Sequence, residues 1–357
     1  MILAKEYKVF FQLLQLGLWN KNVSDLSLFP LLDGEWTRVL KIAEEQTVQG
    51  LIYCGINKLP LELQPSTALL MKLVICIDGI ENGNNTQIKH IIELKKAFST
   101  IGIAPILLKG QSVALYYQQP LQRAFGDIDF YFNKEEFSLI NTRLKEKGVK
   151  MSKSADGSVV WTYKSSVIEH HNKLIDIDNP FKQNFLKELI EKYRFSELQI
   201  GGDTIKVPDK YLNLLLQNSH ILKHALGWGI GLRQLCDIAV SYNALSGKID
   251  GEIIKEIYKK AGIGKWSKLL HSFLVEYIGL DADKLPYKGE FVNSEELLEL
   301  ILKGGNFGYN LRDINKHNNA VYRKIRTAKV FFCKLSFAFR YATNESVWVF
   351  IKLSAGQ

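Results

Sequence analysis

The sequence lacks the features that would place it across a membrane. Among its 357 residues, no stretch reaches the roughly 20 consecutive apolar residues that a membrane-spanning helix needs. The most apolar segments, 331–339 and 347–353, are short and are interrupted by Lys334 and Lys352. The N-terminus is apolar but carries charges at positions 5, 6 and 8 and has no small-residue cleavage site. We therefore expect a helix of the mature protein there and not a signal peptide.

Cysteine is also scarce, and no two cysteines form a C-x-x-C pair. The four lie far apart in apolar surroundings, at Cys54, Cys76, Cys236 and Cys333. This spacing argues against a zinc ribbon and against a disulfide scaffold. It is typical of reduced core thiols, so we expect a cytoplasmic protein.

The charge is unbalanced, with a formal net value of +9. A solvated helical face would explain the excess, and so would an anionic substrate, an anionic membrane surface or nucleic acid. The basic residues between 323 and 329 cannot all share one helical face, which repeats every ~3.6 residues, and no motif of a known RNA module is present. Nucleic acid is therefore not the expected partner, while peripheral membrane contact stays open. Much of the excess lies at Arg312, Lys316, Arg323, Lys324, Arg326, Lys329, Lys334 and Arg340.

The hydrophobic pattern predicts an α+β protein in which a short mixed sheet lies between two helical regions. Residues 1–100 show helical periodicity, which we expect the run from Asn82 to Asn85 to interrupt. Residues 101–207 mix strands and helices, and residues 208–357 return to helix. Within the middle region the pattern predicts strands at 106–108 and 127–132, a helix at 134–147 and three strands between 149 and 177.

The candidate chemistry begins at Gly126-Asp127-Ile128-Asp129-Phe130. Residues two apart on a strand share one face, so Asp127 and Asp129 present two carboxylates side by side. Such a pair repels unless a cation neutralises it, and Mg²⁺, or Mn²⁺ in its place, suits oxygen ligands that share a metal with phosphates. A second triplet, Asp176-Ile177-Asp178, precedes Asn179-Pro180 and is predicted to be a helix entry.

The run LLKGQSVALYYQQPLQRAFGDIDFYF resembles the uncharacterised nucleotidyltransferase family of bacterial surface-polysaccharide loci. That family has a Lys-Gly pair, a helix, a Pro-x-x-Arg loop and an Asp-apolar-Asp strand. The resemblance continues through VIEHHNKL and HILKHALGWGIGLRQLCDIA, and it covers roughly residues 30–245. The matching residues of the central motif are Lys109, Gly110, Pro120, Arg123, Asp127 and Asp129.

More distantly the chain is similar to the DNA polymerase beta superfamily, which implies a third carboxylate and attack of an acceptor hydroxyl on the α-phosphate of an NTP. We expect Glu169 to be this metal ligand or base, with His171 beside it, because both share a strand face. Asp176 and Asp178 remain alternatives. The superfamily's Gly-Ser pair is Gly110-Gln111 here, so Ser112 is the candidate replacement for the missing serine.

Several cations and histidines complete the prediction. Lys109 and Arg123 are candidate phosphate contacts, and either could instead pair with Asp127 or Asp129. His220 and His224 lie on one helical face, where a substrate-facing or packing role is expected in place of zinc. Arg233 and Asp237, four apart, are predicted to form an intrahelical ion pair.

The sequence thus predicts a metal-dependent nucleotidyltransferase that moves an NMP group from an NTP to an acceptor hydroxyl. The resemblance implies a role in surface-polysaccharide metabolism and a glycan-related acceptor. One alternative is a degenerate member that binds nucleotide or a partner protein without turnover, which the Gln111 departure favours. Another is an enzyme that acts on an RNA end.

Overall fold

A seven-stranded mixed sheet forms the middle of the chain in a computed structural model, which describes residues 3–154, 156–227, 229–304 and 334–354. The strands follow the order β3-β4-β5-β2-β1-β7-β6 across the sheet. This mixed sheet among helices confirms the α+β class. The strands are β1 (Ile106–Leu108), β2 (Ile128–Tyr131), β3 (Met151–Lys153), β4 (Val159–Tyr163), β5 (Ser166–His171), β6 (Phe195–Ile200) and β7 (Asp203–Pro208).

Helices lie before, within and after the sheet. Those before it are α1 (Lys5–Trp19), α2 (Asp33–Glu45), α3 (Gln49–Ile56) and α4 (Thr67–Ser99), and those among the strands are α5 (Gly110–Ala114), α6 (Lys134–Glu146) and α7 (Gln183–Tyr193). The later ones are α8 (Lys210–Leu226), α9 (Leu232–Leu245), α10 (Gly251–Ala261), α11 (Gly264–Glu276), α12 (Glu295–Gly304), α13 (Leu335–Tyr341) and α14 (Thr343–Ser354). Within the described ranges, no helix has both the length and the apolarity needed to cross a bilayer.

The two faces of the sheet belong to different cores. Phe130 and Ile168 pack with Phe98 of α4 and Ile140 of α6, in one apolar cluster. Leu108 belongs to a second, larger cluster, which the surrounding helices build. Side chains alternate along a strand, so Asp129, the neighbour of Phe130, points away from the first cluster and toward the helices α8 and α9.

The strand register brings acidic residues from β2 and β5 together. β2 runs antiparallel to β1, where Asp129 is opposite Leu108, and parallel to β5, where Asp129 is opposite Glu169. Paired residues on neighbouring strands point to the same face. The register therefore places Glu169 beside Asp129, and it places His171 two residues further along the same face.

The predicted break between Asn82 and Asn85 is wrong, because α4 continues unbroken through it. Asn84 is buried and its side-chain amide donates to the carbonyls of Leu121 and Arg123, at 2.6 and 2.9 Å. A Cβ on Gly83 would lie 2.1 Å from the Phe125 ring, so only glycine permits this approach. These residues hold the loop that leads to β2, and neighbouring turns of α4 supply enough contacts to override their poor helix propensity.

Of the eight basic residues between Arg312 and Arg340 named above, only Lys334 and Arg340 lie in the part of the chain that the structure describes. Lys334 donates to the carbonyls of Ala225 and Gly227, at 3.0 and 2.6 Å, and Arg340 pairs with Glu296. The other six residues, from Arg312 to Lys329, lie outside the described residues.

Candidate active site

A cleft that is open to solvent at its mouth lies between the strands β1, β2 and β5 and the helices α8 and α9. The structure brings most of the predicted site residues to this one cleft. Its lining includes Lys109, Gly110, Arg123, Gly126, Asp127, Asp129, Glu169, Gln217, His220, His224, Arg233, Gln234 and Asp237.

The turn after β1 adopts an unusual backbone. Lys109 has φ 47° and ψ −148°, a region that is nearly restricted to glycine, and Gly110 follows with φ 45°. Such strain persists only where surrounding contacts hold it, and it is often found at functional sites. The Lys109 Nζ lies 3.2 Å from the Asp129 Oδ1. The strained turn therefore directs the lysine at the predicted metal ligands.

Carboxylates and a histidine crowd the centre of the cleft. Single ligand atoms of Asp129, Glu169 and His171 lie within 4.8 Å of one another. His171 Nε2 lies 2.7 Å from Asp129 Oδ1 and 3.7 Å from Glu169 Oε2. Glu169 also accepts a hydrogen bond from the Ser158 hydroxyl. The strand alternation predicted from the sequence thus places His171 beside both acidic groups.

Asp129 of β2 and Asp127, just before this strand, differ in their electrostatic surroundings. The negative charge of Asp129 and partial burial raise the pKa of Asp127 to about 7, although the residue as a whole is exposed. Burial opposes the ionisation of Asp129, but Lys109 and His171 outweigh it and hold the pKa of Asp129 below its usual range. The cluster therefore contains more negative charge than its neighbouring cations neutralise.

Gln111 and Ser112, at the start of α5, form hydrogen bonds with other groups of the protein. The Gln111 amide donates to Asn84 Oδ1 at 2.6 Å and to Gln87 Oε1 at 3.1 Å, all three side chains being buried. The Ser112 hydroxyl donates to the carbonyl of Lys109 at 2.7 Å. Gln111 is therefore a packing residue that ties α5 to α4. The hydroxyl of Ser112 has its partner within its own turn.

Arg123 reaches the cleft, but its guanidinium is bound by the protein. It makes two bonds to the Asp237 carboxylate, both at 2.7 Å, and Tyr117 also donates to Asp237 at 2.7 Å. This contact makes the predicted ion pair between Arg233 and Asp237 wrong, because Asp237 turns toward the loop before β2. Arg233 instead donates through Nη1 to the carbonyls of Ala124 and Phe125, each at 3.0 Å.

The second aspartate triplet is more than the helix entry predicted for it. β5 ends at His171, so alternation no longer applies at Asp176, whose carboxylate returns to the cleft side. Its Oδ2 lies 3.0 Å from His220 Nδ1, and its Oδ1 lies 2.9 Å from Lys223 Nζ. His224 packs against His220 with ring centroids 4.4 Å apart. Asp176 thus holds the face of α8 that carries His220 and His224. No local sequence pattern indicates this contact, because the two segments are far apart in the chain.

Other residues of this segment do form the predicted helix entry. The Asn179 side chain accepts a bond from the Phe181 backbone at 3.0 Å, at the start of a short 3-10 turn that leads into α7. Asp178 pairs with Lys173 at 2.7 Å. The entry prediction therefore holds for Asn179-Pro180, and Asp176 is the residue that it misplaced.

Comparison with known proteins identifies the family. The model of the family described as uncharacterised nucleotidyltransferase matches residues 33–277, so this chain belongs to that family. An antigenic nucleotidyltransferase-like protein from Paracoccidioides brasiliensis is similar over 54% of this chain and 93% of its own, with 13% identity and a TM-score of 0.35. A search of curated proteins gives no significant match.

Proposed function

We propose that this chain transfers a nucleotidyl group from an NTP to an acceptor hydroxyl, and that Asp127, Asp129 and Glu169 hold the divalent metal that the transfer needs. Family membership supports the reaction class. The observation that carries the metal assignment is the crowding of carboxylates on one face of β2 and β5, with a raised pKa at Asp127. A bound cation would relieve the repulsion that raises the pKa of Asp127.

The donor set fits Mg²⁺ or Mn²⁺. Carboxylate oxygens are the ligands that both ions prefer. When bound, such an ion would neutralise phosphate charge and lower the pKa of an acceptor hydroxyl. The His171–Asp129 bond would orient Asp129, as partners outside the ligand shell generally do.

The residues around the carboxylates have separate roles in this proposal. Lys109 and the backbone of Gly110 lie where they would contact the triphosphate. Arg123, held by Asp237, would position the loop that leads to Asp127 and contact phosphate only secondarily. Glu169 would take the proton of the acceptor hydroxyl. The hydroxyl oxygen would then bond to the α-phosphorus as pyrophosphate leaves. His220 and His224 line the opposite wall, where the acceptor would enter.

The Gln111 departure does not favour a degenerate protein, because Gln111 packs against Asn84 and Gln87 and leaves the carboxylates intact. The acceptor is proposed to be glycan-related, as the resemblance to surface-polysaccharide proteins implies, and the chain to act in the cytoplasm. We propose no role for nucleic acid.

Nucleotide binding tests the metal assignment. We expect wild type to bind non-hydrolysable NTP analogues only with Mg²⁺ or Mn²⁺, and the double variant Asp127→Asn/Asp129→Asn to lose at least about 100-fold in affinity, since each lost charged ligand contact is worth roughly 1.5–3 kcal/mol. Calorimetry would measure the affinities, and circular dichroism would verify the fold. Exposed Glu188 and Glu191 on α7 offer a matched control as Glu188→Gln/Glu191→Gln. Equal affinity of wild type and the Asp127/Asp129 variant would refute the assignment.

A further inference from the structure

Arg233 is a partly buried cation of the cleft wall with no carboxylate within 4 Å among the described residues. Its Nη1 is engaged by the carbonyls of Ala124 and Phe125. Its Nε is buried and makes no hydrogen bond within the described part of the chain. A guanidinium that is removed from water usually has an anionic partner. Arg233 therefore has unused capacity for negative charge.

The contrast with Arg123 sharpens this point. Both guanidinium groups line the same cleft, but Arg123 has a bidentate bond to Asp237, which neutralises it. Burial lowers the pKa of Arg233, and the positive charge of the neighbouring Arg123 lowers it further. Arg123 and Arg233 thus share one close carboxylate, that of Asp237. The excess positive charge lies beside the loop that precedes Asp127.

Gly126 leaves room beside this charge. A Cβ at residue 126 would lie 3.5 Å from Arg233 Nη2 and 3.7 Å from Nη1. Glycine thus keeps the outer edge of the guanidinium open next to the residue that precedes Asp127. An oxyanion that occupied this space could bond to Nη2 while it remained close to the carboxylate cluster and its metal.

We propose that Arg233 binds the phosphate groups of the nucleotide, the role that the sequence assigned to Arg123. The proposal rests on the proposed function and adds to it a phosphate subsite supplied by α9. Lys109 approaches the carboxylates from the turn after β1. Arg233 approaches them from α9, where its guanidinium lies against the loop before β2. Together they would contact the triphosphate from two sides of the cleft.

Binding of inorganic pyrophosphate and of α,β-methylene analogues of the four NTPs, with Mg²⁺, tests this subsite without any need for turnover. Losing a charge-assisted bond to phosphate should weaken both by roughly tenfold to a hundredfold in Arg233→Gln. Arg233→Lys should lose less, because it keeps the charge without the fork. Arg143→Gln, on the exposed face of α6, is the matched control and should bind as wild type does.

Arg233 also holds the 124–125 carbonyls, so Arg233→Gln could disturb the loop. Gly126→Ala keeps every such bond and should weaken pyrophosphate binding by about tenfold, because its methyl group competes for the anion's space. Wild-type affinity in both Arg233→Gln and Gly126→Ala would overturn the subsite and leave the proposed function intact. A wild-type protein that binds neither pyrophosphate nor any analogue would contradict the proposed function, and the subsite with it.

Discussion

Asp127-Ile128-Asp129 and Asp176-Ile177-Asp178 share one pattern, and each buries its isoleucine in the core, with 2% and 0% exposure. The aspartates of the first triplet lie on one strand face, and Asp129 alone has close cationic partners. Those of the second point to different cations, Asp176 to Lys223 and His220, and Asp178 to Lys173. Acidic residues that are already paired stabilise the fold. Acidic residues that repel each other are available to bind a cation.

The pKa values follow this difference. Burial disfavours the charge of Asp176, but its bond to His220 and the charge of Lys223 hold the pKa of Asp176 well below its usual range. Asp127 shows the opposite shift, because the negative charge of Asp129 has the largest effect on its pKa. The experiments below use this contrast between the triplets.

The largest expected effect concerns Glu169, which shares the face of the first triplet. Glu169→Gln should reduce pyrophosphate release from an NTP by about 100-fold or more, as the loss of a general base does. It should weaken nucleotide binding less than the Asp127→Asn/Asp129→Asn variant does, because two of the three proposed metal ligands remain. Asp176→Asn should reduce release much less, since Asp176 lies among cations. A steady-state pyrophosphate assay on both variants measures the difference. If Asp176→Asn were the more damaging change, Asp176 would be the third carboxylate.

The second triplet should matter more for stability. Asp176→Asn removes the carboxylate partner of His220 and one of the two carboxylates paired with Lys223, which keeps Asp156. In this partly buried site the change should lower the free energy of unfolding by about 2 kcal/mol. Asp281→Asn is the control, because its pairing with Lys21 is solvent-exposed and should contribute under about 1 kcal/mol. Urea unfolding of both variants would measure the losses. Similar small losses in both would show that the Asp176 cluster is not structural.

The smallest effect has the opposite sign. With EDTA present, Asp127→Asn should raise the free energy of unfolding at pH 8 by about 1 kcal/mol, a modest gain because solvent screens this exposed side chain. Folded Asp127 holds its proton up to about pH 7 and the unfolded residue only to about 3.8, so ionisation destabilises the fold increasingly across that range. The gain should therefore disappear at pH 4. A variant less stable than wild type at pH 8 would mean that Asp127 is not repelled.

Strand alternation sufficed to predict the shared face of Asp129, Glu169 and His171, and Asp127, which precedes β2, lines the same cleft. The position of Asp176 was not predictable in the same way, because it depends on where β5 ends and on which helix then packs against the turn. The ion pair between Arg123 and Asp237 was not predictable for the same reason. The two residues lie far apart in sequence, and the local i, i+4 spacing suggested that Asp237 would pair with Arg233.

The sequence also contained one hairpin signal that the prediction left unused and one break signal that misled it. β6 and β7 are joined by Gly201-Gly202, with φ 56° and 80°, and a glycine pair between two short runs is a typical hairpin turn. Asn84 and Gly83 carry an intrinsic preference for a break, but packing against the 121–126 loop keeps them helical. In α4, tertiary contacts outweigh local propensity, and only the structure shows those contacts.

The position of a bound metal tests the central claim most directly. Crystals grown with Mn²⁺ and an α,β-methylene NTP analogue would locate the ion by its anomalous scattering. We predict a peak bound by Asp127, Asp129 and Glu169, with the phosphates of the analogue beside it and no peak at Asp176 or Asp178. An ion at the second triplet, or an analogue bound with no ion at the first, would contradict the account.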